Sequence, residues 1–243
     1  MIYLFELPIR IIKYLRYRHG NAVPWRLVFS RIKIRGHGNR IIVSREIGIR
    51  SLLGTSIKIN GSNNVMELGA IRVEGKLRIS IGGECNRLVI GDDVRVVEQL
   101  RIEMIKRCRQ TLVSLGAKTS FRDVTIRNFD HGSSVKIGRD CMFSYDVLIS
   151  NTDEHAIFKD GILCNAAKEL VIGDHVWVGI GATIFKNSYV ASGSVVAAHS
   201  CVTRRFADEN AVIAGVPACV MKTGVRWTRE SPNQILEGRR YAQ

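Results

Sequence analysis

The stretch Ile172-Gly173-Asp174-His175-Val176-Trp177-Val178-Gly179-Ile180-Gly181-Ala182-Thr183-Ile184 begins a repeat of six residues that runs on to Val202. An aliphatic residue returns at every sixth position: Ile172, Val178, Ile184, Val190, Val196 and Val202. Four residues after each of the first five comes a small or β-branched residue: Val176, Ala182, Ser188, Ser194 and Ser200. A period of 3.6 would scatter these positions around a helix, and a plain strand gives no reason for the second position to stay small. The repeat therefore predicts short strands bent at regular corners.

A longer repeat lies upstream of this stretch. Segment 59–69 recurs as segment 81–91, and its closing pattern, apolar-x-apolar-Gly, returns three more times. The final glycines are Gly69, Gly91, Gly116, Gly138 and Gly173. Such repeats are typical of hexapeptide β-helices, in which three hexads form one coil. We therefore expect an all-β fold, a parallel β-helix shaped as a triangular prism over residues 41–222.

The widest spacing between these glycines marks an insertion at residues 150–169. Successive spacings are 22, 25, 22 and 35 residues, so the last one leaves 17 residues beyond a coil of 18. Long loops on a regular scaffold commonly carry function. We therefore expect catalytic residues in this loop, which contains Asp153, Glu154, His155 and Asn165.

The positive charge is concentrated at the N-terminal end. The formal net charge is +14, and residues 1–40 contain nine Lys or Arg against one acid. Over residues 1–19 apolar positions at helical spacing alternate with basic ones, which predicts a basic amphipathic helix. These positions are Leu4, Leu7, Ile11 and Tyr14, with Arg10, Lys13 and Arg16 between them. Two roles stay open for residues 1–40: capping the end of the β-helix, or resting on an anionic membrane surface.

Composition and cysteine usage narrow the class further. No run of about 20 apolar residues and no secretory signal is apparent, so the default location is cytoplasmic, with the inner face of the membrane as an alternative. The six cysteines show no CxxC pair, and Cys141 falls in the small buried position of the repeat, which predicts an inert buried thiol. Residues 223–243 are expected to form a partly ordered tail with a short helix near 233–241.

Three segments together resemble a known family, the left-handed β-helix acyltransferases. They are Ile172–Gly179, Ser194–Thr203 and Ala214-Gly215-Val216-Pro217-Ala218. The sequence most resembles the bacterial polysaccharide O-acetyltransferases of capsule and lipopolysaccharide pathways, over roughly residues 55–228. This resemblance implies a left-handed prism, a homotrimer with active sites between subunits, acetyl-CoA as the acetyl donor and a glycan as the acceptor.

The resemblance also implies roles for residues in and near the insertion. His155 matches the histidine that acts as general base, taking the proton of the acceptor hydroxyl. Asp153 or Glu154 would fix the histidine tautomer, although Asp153 fits a corner turn equally well. Trp177 matches a tryptophan beside the cleft, with packing between subunits as the alternative, and Asn165 would contact acceptor or donor.

Coenzyme A is expected along an edge of the prism near the last coils. Short side chains would let pantetheine approach the backbone, and cationic side chains would pair with its phosphates. The matching positions are Gly179, Ala197, Thr203, Arg204, Arg205 and Lys222. Asn187, Ala191, Ser192 and His199 depart from the glycine-rich corners of relatives. The corner conformations and cofactor contacts of relatives are therefore not carried over to these positions.

Three alternatives to O-acetylation share part of this pattern. The γ-class carbonic anhydrases share this prism and bind zinc through three histidines, but His155, His175 and His199 lack that spacing, so no metal is expected. N-acetylation of an amino sugar nucleotide or small amine would use the same donor. A non-catalytic scaffold could bind nucleic acid through its charge, but the basic N-terminal segment has no interleaved aromatics for base stacking, so no nucleic-acid partner is expected.

Overall fold

The structure is a computed structural model that describes residues 7–105 and 108–240, without the side chains of residues 7–10, 13 and 238–240. The helices are α1 (Leu7–Arg18), a 3-10 helix (Trp25–Phe29), α2 (Ile49–Leu53) and α3 (Pro232–Arg240). The strands are β1 (Arg31–Arg35), β2 (Arg40–Val43), β3 (Thr55–Ser62), β4 (Val65–Leu68), β5 (Arg72–Val73), β6 (Lys76–Glu84), β7 (Arg87–Ile90), β8 (Arg95–Met104), β9 (Leu112–Leu115), β10 (Ser120–Arg127), β11 (Ser134–Ile137), β12 (Met142–Phe143), β13 (Val147–Ser150), β14 (Phe158–Lys159), β15 (Ile162–Leu163), β16 (Leu170–Ile172), β17 (Trp177–Val178), β18 (Thr183–Phe185), β19 (Tyr189–Val190), β20 (Val195–Val196), β21 (Cys201–Val202), β22 (Arg205–Phe206), β23 (Val212–Gly215) and β24 (Ala218–Lys222).

Parallel strand pairing arranges these elements as a prism with three faces. Face A consists of β2, β4, β7, β9, β11, β16, β19 and β22 in that order. Face B consists of β5, the first parts of β8 and β10, β12, β17, β20 and β23. Face C consists of β1, β3, β6, the later parts of β8 and β10, β13, β18 and β21. The chain visits A, B and C in turn, so the prism has an AB edge, a BC edge and a CA edge.

The hexad positions form the core of the prism. All six aliphatic positions from Ile172 to Val202 and all five small positions from Val176 to Ser200 are buried, with at most 1% of any of them exposed. The longer repeat marks stacked rungs of face A, because Leu68 pairs with Ile90, Ile90 with Leu115, Leu115 with Ile137, and Ile137 with Ile172. The predicted parallel β-helix is therefore confirmed, and its sequence repeat is the stacking period of its coils.

A ladder of buried polar side chains fills the inside of the CA edge. The amide of Asn64 donates to Asn39 Oδ1 at 2.9 Å, and the amide of Asn86 donates to Asn64 Oδ1 at 3.0 Å. Thr111 continues the ladder by donating to Asn86 Oδ1 at 2.8 Å. Buried polar groups need such partners, which explains why the 22-residue repeat retains its asparagine. Further along the same edge Asn151 begins the insertion, with its side chain fully buried.

The corners require residues in the left-handed backbone region, and several of these are not glycine. At the AB edge the φ angles of Asp93, Lys118, Asp140 and His175 lie between 52° and 63°. Asn187 and His199, two of the departures noted in the sequence, adopt φ values of 63° and 55°. Both corners therefore keep the left-handed conformation, at the modest strain that a Cβ brings there.

The N-terminal segment covers the first coil. Tyr14 of α1 is buried and its hydroxyl donates to Val23 O at 3.0 Å, while Ile11, Ile12 and Leu15 point to solvent. Leu4 lies outside the described residues, as do the side chains of Leu7, Arg10 and Lys13. Within the described ranges no helix is both long and apolar enough to cross a bilayer. One side of α1 therefore caps the prism, and the other stays uncovered.

The parallel ladder starts ahead of the predicted N-terminal boundary at residue 41, whereas its C-terminal end lies within the predicted range. β1 pairs in register with β3 ahead of residue 40, and β24 closes the last coil as an antiparallel partner of β23. The short helix expected near the C-terminus is present as α3. Within the tail, Trp227 is buried against the prism.

Candidate active site

The insertion leaves the prism at the CA edge, where β13 ends. Its first residues are anchored: Ser150 Oγ donates to Thr152 O at 3.0 Å, and Asn151 Nδ2 donates to Ser134 O at 3.0 Å. Ser150, Asn151 and Thr152 are all buried. The loop therefore starts from a fixed platform, which limits the positions available to the residues that follow.

His155 follows directly on this platform and is exposed. Its backbone N–H donates to Asp153 O at 2.7 Å, and its carbonyl accepts a hydrogen bond from Asn165 Nδ2 at 2.8 Å. No side chain in the described part of the chain hydrogen-bonds to its imidazole. The backbone of His155 is held while its ring stays available, as a general base requires.

Asp153 is bound by residues other than His155. Lys186 Nζ lies 2.5 Å from Asp153 Oδ2, and Asn165 Nδ2 donates to the same oxygen at 2.9 Å. The hydrogen bond from Lys186 lowers the pKa of the Asp153 carboxyl below its ordinary value, against the smaller opposing effect of burial. Lys186 also donates to Asn165 O. Asp153 therefore secures the loop to the next coil, in the manner of the corner role left open by the sequence.

Asn165 joins the two ends of the loop. Besides its two donated hydrogen bonds, its Oδ1 accepts from Ile157 N at 2.7 Å. Between these ends β14 and β15 form an antiparallel hairpin with a turn at Asp160-Gly161. The hairpin exposes four large apolar side chains: Ile157, Phe158, Ile162 and Leu163.

Glu154 faces the prism rather than the imidazole. Its Oε1 lies 3.6 Å from Arg127 Nη1, and Arg127 Nε in turn lies 3.5 Å from Glu103 Oε2. Glu154 adopts a φ of 63°, and its backbone N–H donates to Thr152 Oγ1 at 2.9 Å. Neither acidic side chain beside His155 thus contacts its ring within the protomer.

Trp177 lies in β17 on face B, beside a cleft of about 730 Å³. The cleft runs over face B from β5 to β17, and five cations line it. Four of the five are arginines, and each of these has a carboxylate within 4 Å. The cations are Arg72, Arg95, Lys118, Arg122 and Arg229. The volume of this cleft lies within the range of pockets that hold a cofactor or a sugar unit.

The C-terminal tail forms one wall of this cleft. The Trp227 ring stacks on His175 with centroids 4.1 Å apart, and its Nε1 donates to His175 O at 2.9 Å. Arg229 then donates to Asp140 Oδ1 at 3.1 Å and to Ser120 Oγ at 2.8 Å. We call residues 225–229 the C-terminal strap, because they bridge stacked corners of the AB edge.

Asp140 holds the strap from the prism side. His175 Nδ1 lies 2.7 Å from Asp140 Oδ2. Burial raises the pKa of Asp140, but hydrogen bonds from His175 and Arg229 outweigh it and bring the pKa below its ordinary value. The carboxylate is therefore charged at neutral pH and available to both partners.

The residues expected to bind coenzyme A lie in several places. Gly179 and Ala197 are stacked at the BC edge, where a side chain on Gly179 would clash with Ala198 N at 2.7 Å. Thr203 and Arg204 lie at the CA edge, below the insertion. Arg205 packs over Tyr189 on face A, and Lys222 lies in β24, paired with Val212 of face B. One protomer does not bring all six together.

The predicted catalytic residues are separated in the same way. His155, Asp153, Glu154 and Asn165 belong to the CA edge, whereas Trp177 lies on face B. In a triangular prism the CA edge is opposite face B. A single protomer therefore presents these two groups of residues on opposite sides.

Sequence reasoning missed Lys186 and the strap. Lys186 had a signal, because the repeat aligns Ile184 with Ile149 and so places Lys186 beside Asn151, where the insertion starts. No sequence pattern indicated Trp227 and Arg229, because they follow the last repeat. Among the described residues no group of three His, Cys, Asp or Glu is arranged to hold a metal ion.

Fold and site define the chain as a hexapeptide-repeat protein with a histidine-bearing loop inserted at one edge. No protein-family model matches it. Over 134 residues it is 32% identical to the polysialic acid O-acetyltransferase of Neisseria meningitidis. The aligned region covers 54% of this chain and 60% of that protein. A polysialic acid O-acetyltransferase of Escherichia coli O1:K1 is 32% identical over 107 residues, 42% of this chain and 34% of that protein. The chain thus matches between a third and three fifths of these relatives' length.

Two solved structures share the fold over most of the chain. The polySia-specific acetyltransferase NeuO has a TM-score of 0.72 at 24% identity, covering 87% of this chain and 97% of that one. The polysialic acid O-acetyltransferase OatWY has a TM-score of 0.62 at 27% identity, covering 82% and 91%. The predicted left-handed β-helix and the predicted resemblance to the acyltransferases that adopt it are therefore confirmed.

Proposed function

We propose that the protein transfers an acetyl group from acetyl-CoA to a hydroxyl of a bacterial cell-surface glycan or its precursor. The observation that carries this proposal is the loop at residues 150–169, which fixes the backbone of His155 and leaves its imidazole free. The relatives named for the same reaction on a glycan support the substrate class.

His155 acts as the general base in this mechanism. Its imidazole takes the proton of the acceptor hydroxyl as the oxygen attacks the thioester carbonyl, giving a tetrahedral intermediate. Collapse of the intermediate breaks the carbon–sulfur bond, and the imidazolium returns the proton to the sulfur of coenzyme A. Such a base contributes about 10²- to 10⁴-fold to the rate. The products are the acetyl ester and free coenzyme A.

The complete site requires a second copy of the chain, and a homotrimer provides it. Bringing the CA edge of one protomer against face B of its neighbour would place His155 near Trp177 and the cleft. The exposed hairpin supports this assembly, because Phe158 is 64% and Ile162 73% exposed in the protomer. Apolar patches of this kind are commonly buried between subunits.

Acetyl-CoA would bind along this junction. Gly179 and Ala197 at the BC edge leave the backbone accessible to pantetheine, and cations of the face-B cleft and Arg204 at the CA edge can pair with phosphates. Trp177 would lie beside the reacting groups. Transfer to an amine would use the same donor, so the nature of the acceptor has to be tested directly.

Replacing His155 with Ala tests the catalytic assignment. We expect loss of at least tenfold in acetyl transfer to a panel of surface polysaccharides, because the base is removed. Coenzyme A release measures the rate, and gel filtration checks that the oligomer is unchanged. His19→Ala, a substitution at an exposed histidine after α1, is the matched control.

Three outcomes would contradict the proposal. If His155→Ala keeps more than a tenth of the parent activity, His155 is not the general base. A product stable to mild alkali would be an amide and would favour N-acetylation. No coenzyme A release with any acceptor would favour a non-catalytic scaffold.

The enzyme is proposed to work in the cytoplasm in contact with the inner membrane surface. The uncovered side of α1 carries Ile11, Ile12 and Leu15, and Arg16 and Arg18 follow in its last turn. Apolar and basic side chains together are typical of helices that lie on anionic bilayers.

A further inference from the structure

Face C carries a strong excess of positive charge on its outer side. Along its strands the outward positions of β1, β3, β6, β8 and β10 hold eight cations and three carboxylates, Glu84, Glu103 and Asp123. The cations are Arg31, Lys33, Arg35, Lys58, Lys76, Arg78, Arg101 and Arg127. We call this surface the face-C cation ladder.

Most of the ladder has no internal counter-charge. Of the eight ladder cations, only Arg127 forms ion pairs with carboxylates in the described part of the chain. Its partners are Glu103 and Glu154. Arg78 donates to the neutral Gln99 at 2.9 Å. Uncompensated like charges destabilise the folded chain, and burying them against a second copy of the same face would cost more still. The ladder therefore suits an anionic ligand.

The ladder leads to the catalytic loop. In parallel register Lys33 lies beside Lys58, and two rungs further on Glu103 lies beside Arg127. Arg127 pairs with Ser150, the first residue of the insertion, and contacts Glu154 next to His155. The six strands from β1 to β13 are separated by five spacings of about 4.8 Å each, which gives a track about 24 Å long.

We propose that the face-C cation ladder binds an extended carboxylated glycan and guides one of its units to His155. This inference rests on the proposed function and narrows its acceptor to a linear polymer with repeated carboxylates. A ladder of spaced cations matches repeated anions along a chain, whereas a small acceptor would occupy only the rungs nearest the loop. The strands farthest from the loop, β1 and β3, would then raise the affinity for long acceptors and leave the affinity for short acceptors unchanged.

Two other polyanions fit the ladder less well. Nucleic-acid surfaces commonly offer aromatic side chains for base stacking, and the outward positions of face C from β1 to β10 include none. A membrane surface is contacted best by cations flanked by apolar residues, and these positions hold no apolar side chain either. An extended anionic glycan needs neither.

Binding to a fourfold variant tests the inference. Lys33, Lys58, Arg78 and Arg101 are replaced by Gln in full-length protein that also carries His155→Ala, so that no turnover occurs. The control variant replaces four exposed cations outside face C: Arg40, Arg45, Arg139 and Arg226. The probes are long polysialic acid, a short oligomer of the same sugar, neutral dextran and duplex DNA, each at several salt concentrations.

We expect the ladder variant to bind long polysialic acid about tenfold or more weakly than the control variant, with a shallower salt dependence. Binding of the short oligomer should differ little, and dextran should not bind. Equal affinities of the two variants for the polymer, or tighter binding of DNA than of polymer by the parent, would overturn the inference.

The same design separates this inference from the proposed function. Polymer binding that depends on the ladder, in a protein that transfers no acetyl group when His155 is present, would refute the reaction and keep the binding surface. If the fourfold variant fails to fold, the single substitution Lys58→Glu against Arg45→Glu repeats the comparison, with circular dichroism as the check.

Discussion

Asn165 shows how one side chain can organise a loop of twenty residues. Its amide bridges Asp153 and the backbone of His155, and its Oδ1 accepts from Ile157, so both ends of the insertion meet at this residue. Lys186 adds a charge from the next coil. His155 thereby gains a defined position without any hydrogen bond to its ring.

Asn165→Ala should reduce acetyl transfer more than stability. Each lost hydrogen bond is worth about 1 kcal/mol, and a loosened loop would place the base correctly for only part of the time. We expect kcat to fall about tenfold or more, with a change in the melting temperature of only a few degrees.

The matched control for this substitution is Asn233→Ala, on the exposed side of α3. Equal kcat values for the two variants would show that Asn165 does not position His155. A large drop in melting temperature for Asn165→Ala would show that the loop contributes to global stability instead.

At the scale of elements, α1 has two sides with different tasks. Tyr14 attaches it to the prism, and the side with Ile11, Ile12 and Leu15 is exposed in the part of the chain that the structure describes. The two roles that the sequence left open for residues 1–40 are thus compatible, because they use opposite sides of the helix.

Ile12→Asp should abolish sedimentation with anionic liposomes. A carboxylate at a position 68% exposed leaves the prism intact but opposes insertion into a negatively charged interface. Leu236→Asp on α3, at a position 56% exposed, is the matched control and should sediment like the parent protein.

Activity on a soluble acceptor should be the same in both variants and the parent. If the two variants sediment alike, or if the parent protein does not sediment, α1 is only a cap.

The C-terminal strap is the other element whose role depends on contacts. Arg229 lines the face-B cleft together with Trp177, and the Trp227 ring lies 6.2 Å from that of Trp177. The carboxylate of Asp140 that holds Arg229 has a lowered pKa, so its stabilising effect is present above the ordinary aspartate range and is lost only as pH falls through the lowered value. The strap should therefore stay attached across neutral and mildly acidic pH.

At the scale of the whole molecule, the proposed site combines residues from opposite sides of the prism, so it would need two copies of the chain. Mixing two inactive variants tests this requirement directly. His155→Ala and Trp177→Ala, each below a tenth of parent activity alone, should regain activity when assembled together. Random assortment leaves about a quarter of the junctions with both side chains intact.

The control mixture combines His155→Ala with Asn165→Ala, which lie at the same edge of the prism. It should show no more activity than the average of its two components, since no junction regains both residues. Recovery in neither mixture would place the complete site within one protomer.

Periodicity alone determined most of the fold. Because each coil repeats three hexads, residues such as Ile172 and Ser188 could be assigned to the core, and the irregular spacing before Gly173 located the insertion. Steric and hydrophobic demands recur identically on every rung, so they leave a pattern that can be recognised in the sequence.

Side-chain contacts outside the repeat were decided by tertiary structure. Whether Asp153 binds the His155 ring or Lys186 depends on the path of an irregular loop, and Trp227 meets His175 only because the tail turns back along the AB edge. The sequence by itself determined the prism and the position of its inserted loop, because these follow from a local repeat. Only the tertiary structure decided that His155 and Trp177 stand on opposite sides of a protomer, because that depends on how three faces close around one core.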